Sequence, residues 1–174
     1  MNRPDIPTRK QSQRVLVPYW IALPVALIVW GVAPWAIALL TPRYGWAAGR
    51  PGLWNLLGLI AVVVGTVGLI WTMGLHFAQA PKSGIELELA QSYLLRHGPY
   101  AFSRNPMYLS ELTLLFGWVI FFGSVAVLIA FGVACAVFNF VNVPLEERAL
   151  QARFGEAYLR YKNTVPRWLG KTRR

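Results

Sequence analysis

The sequence predicts an all-α, polytopic transmembrane helical bundle of about four spans, the last two as a hairpin, with an amphipathic helix at the C-terminal end. Three observations predict it. Residues 15–40 and 51–81 contain no charged side chain, and residues 105–144 contain only Glu111. A helix needs roughly 20 residues to cross the hydrocarbon core, so the first two runs are single spans and the third is long enough for a helical hairpin. Basic residues flank these runs: of 17 Lys and Arg, only Arg43 and Arg50 fall between the first two spans. Finally, a soluble domain of 174 residues has no interior large enough for so much continuous apolar sequence, because small domains keep much of their chain at the surface.

Residues 1–14 form a polar tail with Pro4 and Pro7. Residues 15–78 hold the first two spans. The first contains Pro18, Pro24 and Pro34, which predict kinks, and is longer than the apolar core of a signal peptide. Residues 46–48 offer only an equivocal cleavage site. Tyr19, Trp20, Tyr44 and Trp46 bracket the first span as interfacial aromatics. A short loop makes spans one and two antiparallel neighbours, and Gly58, Gly65 and Gly68 in span two predict close helix approach. His76 reads as an interfacial polar residue.

Residues 79–105 form the longest polar interruption. Pro81 to Gly84 reads as a turn, and the breakers Gly98-Pro99 and Asn105-Pro106 predict a shaped loop at the membrane face. Residues 106–143 re-enter the membrane as a hairpin, with Gly117 and Gly123 as candidates for its tip and a first arm of about 10–12 residues. Residues 144–174 follow, Pro144 marking a kink or a new helix start. Leu150, Phe154, Tyr158 and Tyr161 recur on one helical face, with Glu147, Arg148 and Gln151 opposite. This amphipathic helix is expected to lie on the membrane or to cap the bundle.

The net charge of +10 does not indicate nucleic acid, because it is concentrated beside the spans. The positive-inside rule makes the basic side cytoplasmic, with both termini there, and a plasma (inner) membrane is expected for a prokaryotic source. His76 and His97 are the only histidines and Cys135 the only cysteine, which excludes a multi-histidine metal centre and an internal disulfide. Few polar groups cross the spans, against a channel or transporter. Glu111, one turn inside the third apolar run, is a functional candidate because ionisable side chains at membrane depth are costly. His97, Arg104, Tyr108, Glu146 and Glu147 together point to a polar pocket on the cytoplasmic side, open to lipid-soluble substrate.

Two stretches carry something more specific. Gly98-Pro99-Tyr100 is followed by Arg104-Asn105-Pro106-Met107-Tyr108; after the hairpin come Glu146-Glu147, Phe154-Gly155-Glu156-Ala157-Tyr158, Tyr161 and Val165-Pro166-Arg167. In this order they resemble the integral membrane methyltransferases of the isoprenylcysteine carboxyl methyltransferase and phospholipid N-methyltransferase group, over residues 94–169. The resemblance implies an S-adenosyl-L-methionine site on the cytoplasmic face built from His97, Gly98, Pro99, Tyr100, Arg104, Asn105, Pro106, Tyr108, Glu146 and Glu147. It implies methyl transfer to a lipidic or amphipathic acceptor, with Arg104, Tyr108 and Glu111 as candidate catalytic residues and membrane lipids or lipid-like molecules as partners. Asn105 stands in the family's histidine position and Ser110 where glycine is usual. The chemistry fits: carboxylates suit the cofactor's ammonium or ribose, and a guanidinium suits its carboxylate. The acceptor remains open between carboxylate, amine and thiol. A non-catalytic membrane scaffold or binding protein keeping the same fold is the competing class.

Overall fold

Apolar helices alternate in direction through the chain. A computed structural model describes residues 16–17, 19–79, 85–86 and 93–170. The polar tail 1–14 and the turn expected at 81–84 lie outside the described residues.

The first span begins with α1 (Tyr19–Leu27) and ends with α2 (Ala33–Ala38), joined by a π-helical turn over Ile28–Val32. This turn is what Pro34 requires. A proline lacks an N–H and crowds the carbonyl four residues earlier, here Trp30. The wider turn moves the ladder to Ala33 N–H→Ile28 O, and the Trp30 carbonyl accepts from the Trp118 indole at 2.7 Å. A two-residue strand β1 (Leu16–Val17) precedes α1. Strands β2 (Trp46–Ala47) and β3 (Arg50–Pro51) form a hairpin in the first loop.

Helix α3 (Leu53–Gln79) is the second span. Its buried residues Asn55, Gly58, Gly65, Leu69 and Thr72 form one stripe, which packs along α4 (Pro106–Phe122). A Cβ on Gly58 would strike the backbone of Gly117 and Phe121, and one on Gly65 the backbone of Ser110 and Leu114. Without a hydrophobic driving force between helices in lipid, such close approach is the main source of cohesion. Ser110 faces Gly68 in this seam and bonds back to the Pro106 carbonyl at 2.8 Å, so the serine is accommodated by a glycine across from it. A strand β4 (Ile85–Glu86) after α3 pairs antiparallel with β1, bringing the start of the first span and the end of the second to one end of the bundle.

The hairpin tip is Gly123-Ser124. Helix α4 runs straight through Gly117, so its arm is 17 residues, longer than the sequence suggests. Gly117 serves the seam with α3 instead of a turn. Gly123 ends α4 with a φ of 57°, and a Cβ there would strike the Tyr44 carbonyl. Ser124 caps α5 (Val125–Val137) by accepting from Val127 N–H. Pro144 does not start a new helix. Helix α5 continues through a second π-helical turn, Phe138–Asn142, into α6 (Val143–Phe154), with Val143 N–H bonded to Phe138 O. Both prolines are thus absorbed in the same way.

The expected single C-terminal helix is two. Gly155, at a φ of 51°, separates α6 from α7 (Glu156–Thr164). The break folds the periodic face inward. Tyr158, Tyr161 and Val165 form a core with Leu94, Leu150 and Phe154, so these helices cap the bundle.

The outer faces are apolar. Leu57, Ile60, Val63, Val67 and Ile70 of α3, and Leu128, Ile129 and Val133 of α5, are all exposed. Helices Leu53–Gln79 and Val125–Phe154 are long and apolar enough to span a bilayer, and their apolar windows are only 22% and 6% buried within the protein. A lipid phase accounts for that surface; water does not. The molecule is an all-α membrane helical bundle.

Candidate active site

Two segments far apart in sequence meet where α3 ends and α4 begins. The first is a 3-10 turn, Gly98–Ala101, leading into α4; the second is α6, α7 and the irregular tail behind them. Gly98 sits at a φ of 60°, with Leu75 and Trp71 of α3 where a side chain would start. The left-handed backbone and the close approach both call for glycine. Pro99 then sets the helical turn that aims Tyr100 inward, where it is buried.

Glu147 is the centre of the junction. Its carboxylate is buried, with side-chain exposure of 7%, and pairs with Arg104 at 2.9 Å, with Arg167 at 3.1 Å and with Lys162 at 3.5 Å. The Arg167 contact is two-pronged, Nε to Oε1 and Nη2 to Oε2. Arg104 also donates to the Lys162 carbonyl at 2.9 Å, while its buried Nε has no partner. Backbone and neutral groups complete the weld. Arg104 N–H donates to Pro166 O, and the Asn105 amide and Ser103 hydroxyl both donate to Arg167 O. Asn105, where the family pattern has histidine, therefore uses its amide to hold the tail. Arg104 and Glu147 are given to each other.

Glu146 points elsewhere. It lies beside the Tyr108 hydroxyl, which also neighbours Asn142, and close enough to Glu111 for the two charges to repel. Glu146 and Glu111 form no ion pair among the described residues. Tyr108 and Glu111, three positions apart on α4, share a helical face, and the Tyr108 ring packs on Phe138 of the π turn. The junction thus has two electrostatic halves. Around Glu147 three cations surround one carboxylate; beside it two carboxylates and a phenol have no cationic partner among the described residues.

His76 of α3 extends the site. Its Nε2 lies 2.6 Å from the Tyr100 hydroxyl and its Nδ1 3.0 Å from the Tyr93 hydroxyl, which itself donates to the His76 carbonyl. With Tyr100 as donor, Nε2 accepts and the proton sits on Nδ1, a neutral imidazole assigned from the network. Tyr161 donates to the Tyr100 carbonyl at 2.8 Å. Burial pushes the Tyr100, Tyr158 and Tyr161 hydroxyls well above the ordinary phenol range, so they remain protonated donors. His97 is exposed on the outer side, away from these contacts.

Of the residues singled out in the sequence, Gly98, Pro99, Tyr100, Arg104, Asn105, Pro106, Tyr108, Glu111, Glu146 and Glu147 thus gather at one end. Sequence reasoning missed His76, Asn142, Lys162 and Arg167. Arg167 lies in a motif already quoted, but a lone histidine on an apolar helix gives no sign of its two tyrosine partners.

The family profile described as phospholipid methyltransferase matches residues 53–157, more than half of the chain. The chain belongs to this family. The match begins with α3 and ends within α7, so it contains both segments of the junction except most of α7, which supplies Lys162, and the tail, which supplies Arg167. The chain is also similar to an uncharacterized protein of Haemophilus influenzae, 36% identical over 63 residues, which is 36% of this chain and 100% of that protein. No solved structure matches the chain. Membership makes this a protein of a membrane methyltransferase family.

Proposed function

We propose that the protein transfers a methyl group from S-adenosyl-L-methionine to a lipidic or amphipathic acceptor at the cytoplasmic face of a prokaryotic plasma membrane. The observation that carries the reading is the pairing of a welded Arg104–Glu147 junction with adjacent Glu146, Tyr108 and Glu111 that have no cationic partner. That donor set fits the cofactor, whose ammonium, sulfonium and ribose hydroxyls all favour carboxylate and phenol oxygens. Glu146 and Tyr108 would hold it, and Gly98 would let the backbone come close. Arg104, Asn105 and Glu147 act as positioning residues that fix the wall around them. When bound, S-adenosyl-L-methionine supplies an electrophilic methyl group.

The chain's own contribution is placement and proton handling. Holding acceptor and methyl donor in line in a site shielded from water removes much of the entropic cost of the reaction. Of the three acceptors left open by the sequence, an amine fits better than a carboxylate. Every cation of the junction is engaged by Glu147, so a carboxylate acceptor would face Glu111 and Glu146 without a counter-charge. A protonated amine is attracted there. Glu111 or Glu146 would take its proton, leaving the nitrogen lone pair free to bond the methyl carbon as the carbon–sulfur bond breaks and the neutral thioether leaves. The fifteen basic residues outside the first loop support a cytoplasmic position for this end and both termini.

Equilibrium binding of S-adenosyl-L-methionine to the detergent-purified chain tests the reading. Saturable binding in the wild type, lost in a folded Glu146→Gln variant, is the expected result. Undiminished binding in that variant would sink the assignment of Glu146, and no binding by folded wild type in lipid nanodiscs would sink the cofactor itself. Transfer of labelled methyl to aminolipids but not to fatty acids would support the amine.

A further inference from the structure

A cavity of about 790 Å³ opens on the outer side of the same end, between the segment ahead of α4 and α7. Exposed Arg96, His97 and Arg160 stand at its edge. Leu94, Ala101 and buried Val165 form its floor. Among the described residues, no carboxylate lines it. Neither Arg96 nor Arg160 has an ion-pair partner among the described residues, unlike the three cations around Glu147. Arg160 is two positions from Lys162, about 200° around the helix. The cavity therefore lies on the face of α7 turned away from Glu147. It is also the wrong sign for S-adenosyl-L-methionine, whose net charge is positive.

We propose that this cavity binds the phosphate headgroup of an anionic phospholipid from the surrounding membrane. Two guanidiniums and an imidazole offer the donors that phosphate oxygens take, and guanidinium–phosphate contacts are strong because both partners are charged. The apolar floor suits glycerol and the first methylenes of an acyl chain. The cavity adjoins the residues that lead into α4 and thus lies where a span meets the headgroup layer. Neighbouring Phe102 leaves 68% of its surface exposed, as a side chain dipping into lipid would. The occupant holds the outer wall of the junction while the methyl-transfer site lies on the inner side, and binding does not depend on turnover.

The test is calorimetric titration of the detergent-purified full-length chain with dihexanoyl phosphatidylglycerol, a monomeric short-chain lipid. Wild type is expected to show a single saturable site. The Arg96→Gln/Arg160→Gln variant should bind at least about tenfold more weakly. Arg50→Gln/Arg148→Gln removes the same charge from exposed positions outside the cavity and should change affinity by less than about twofold. Ala101→Leu narrows the floor without touching charge and should also weaken binding. Equal losses in the two double variants would mean diffuse attraction to a basic protein and would overturn the site. Displacement of the lipid by equimolar inorganic phosphate would overturn the lipid as its occupant. Thermal melts check folding; if the cavity double variant does not fold, the Ala101→Leu result decides.

Discussion

Asn55 and Glu147 are buried polar side chains at opposite ends of the bundle, with exposures of 0% and 5%, and each ties several segments together. Asn55 does so with a neutral amide. Its Nδ2 donates toward the carbonyls of Tyr44, Ile120 and Phe121 at 3.0–3.1 Å, and its Oδ1 accepts from Gly52 N–H. Those partners are backbone, already held by the helix ends and the Gly123 turn. Glu147 does so with a charge, and its partners are long side chains from the segment ahead of α4, from α7 and from the tail. An amide held by backbone gives a rigid end at moderate cost if it is lost. A carboxylate surrounded by cations makes the other end depend on one residue, because its removal leaves buried positive charge unpaired. The proposed methyl-transfer site lies at the charged end, where three segments must be brought to fixed positions.

This contrast can be broken experimentally. The largest effect is expected from Glu147→Ala, which strands Arg104 and should cost about 3–5 kcal/mol of stability and abolish cofactor binding. A melting temperature equal to wild type would show that the junction is not held by this carboxylate. Asn55→Ala should cost less, about 1–3 kcal/mol for the polar groups it leaves unsatisfied. It should leave cofactor affinity within about twofold in the protein that remains folded, since the two ends have no shared partners. A loss of affinity as large as that of Glu147→Ala would end the claim that the ends are independent.

Gly117→Ala tests the seam between them. The added Cβ meets Val62 N and the Gly58 carbonyl, both backbone, so the helices must part, at a cost of about 1–3 kcal/mol. Helix separation measured by a spectroscopic ruler between α3 and α4 should rise, and an unchanged distance and melt would contradict the packing. The smallest effect belongs to His76→Phe. It keeps the ring's bulk but removes both tyrosine contacts, at roughly 1 kcal/mol of stability. Cofactor affinity should fall several-fold while the melt moves little, and Tyr100→Phe should reproduce it. If neither variant alters affinity, the His76–Tyr100 contact is structural only.

The two ends were unequally legible. At the charged end, the quoted motifs contain Arg104, Asn105, Glu147 and Arg167, so their meeting was half visible; which atoms pair was not, because ion-pair partners have no fixed sequence spacing. At the far end Asn55 sat unnoticed in an apolar run, since an amide satisfied by backbone carbonyls leaves no pattern in its neighbours. Gly117 looked like a turn and proved a seam residue, because a glycine has the same letter in both uses. Pro144 looked like a kink or a new helix start. A one-residue widening of the preceding turn let the helix continue, as it does ahead of Pro34, and a proline in the sequence does not by itself say which of these it will do.

What the sequence determined by itself is the membrane bundle, the number of its apolar runs and the end that carries the polar groups. Those follow from hydrophobic length and charge placement, which the bilayer reads residue by residue. Only the tertiary structure decided that Glu147 is an anchor while neighbouring Glu146 faces Tyr108 and Glu111. Adjacent residues on a helix point about 100° apart, and only the packing of α4, α6 and α7 determines what each of them meets.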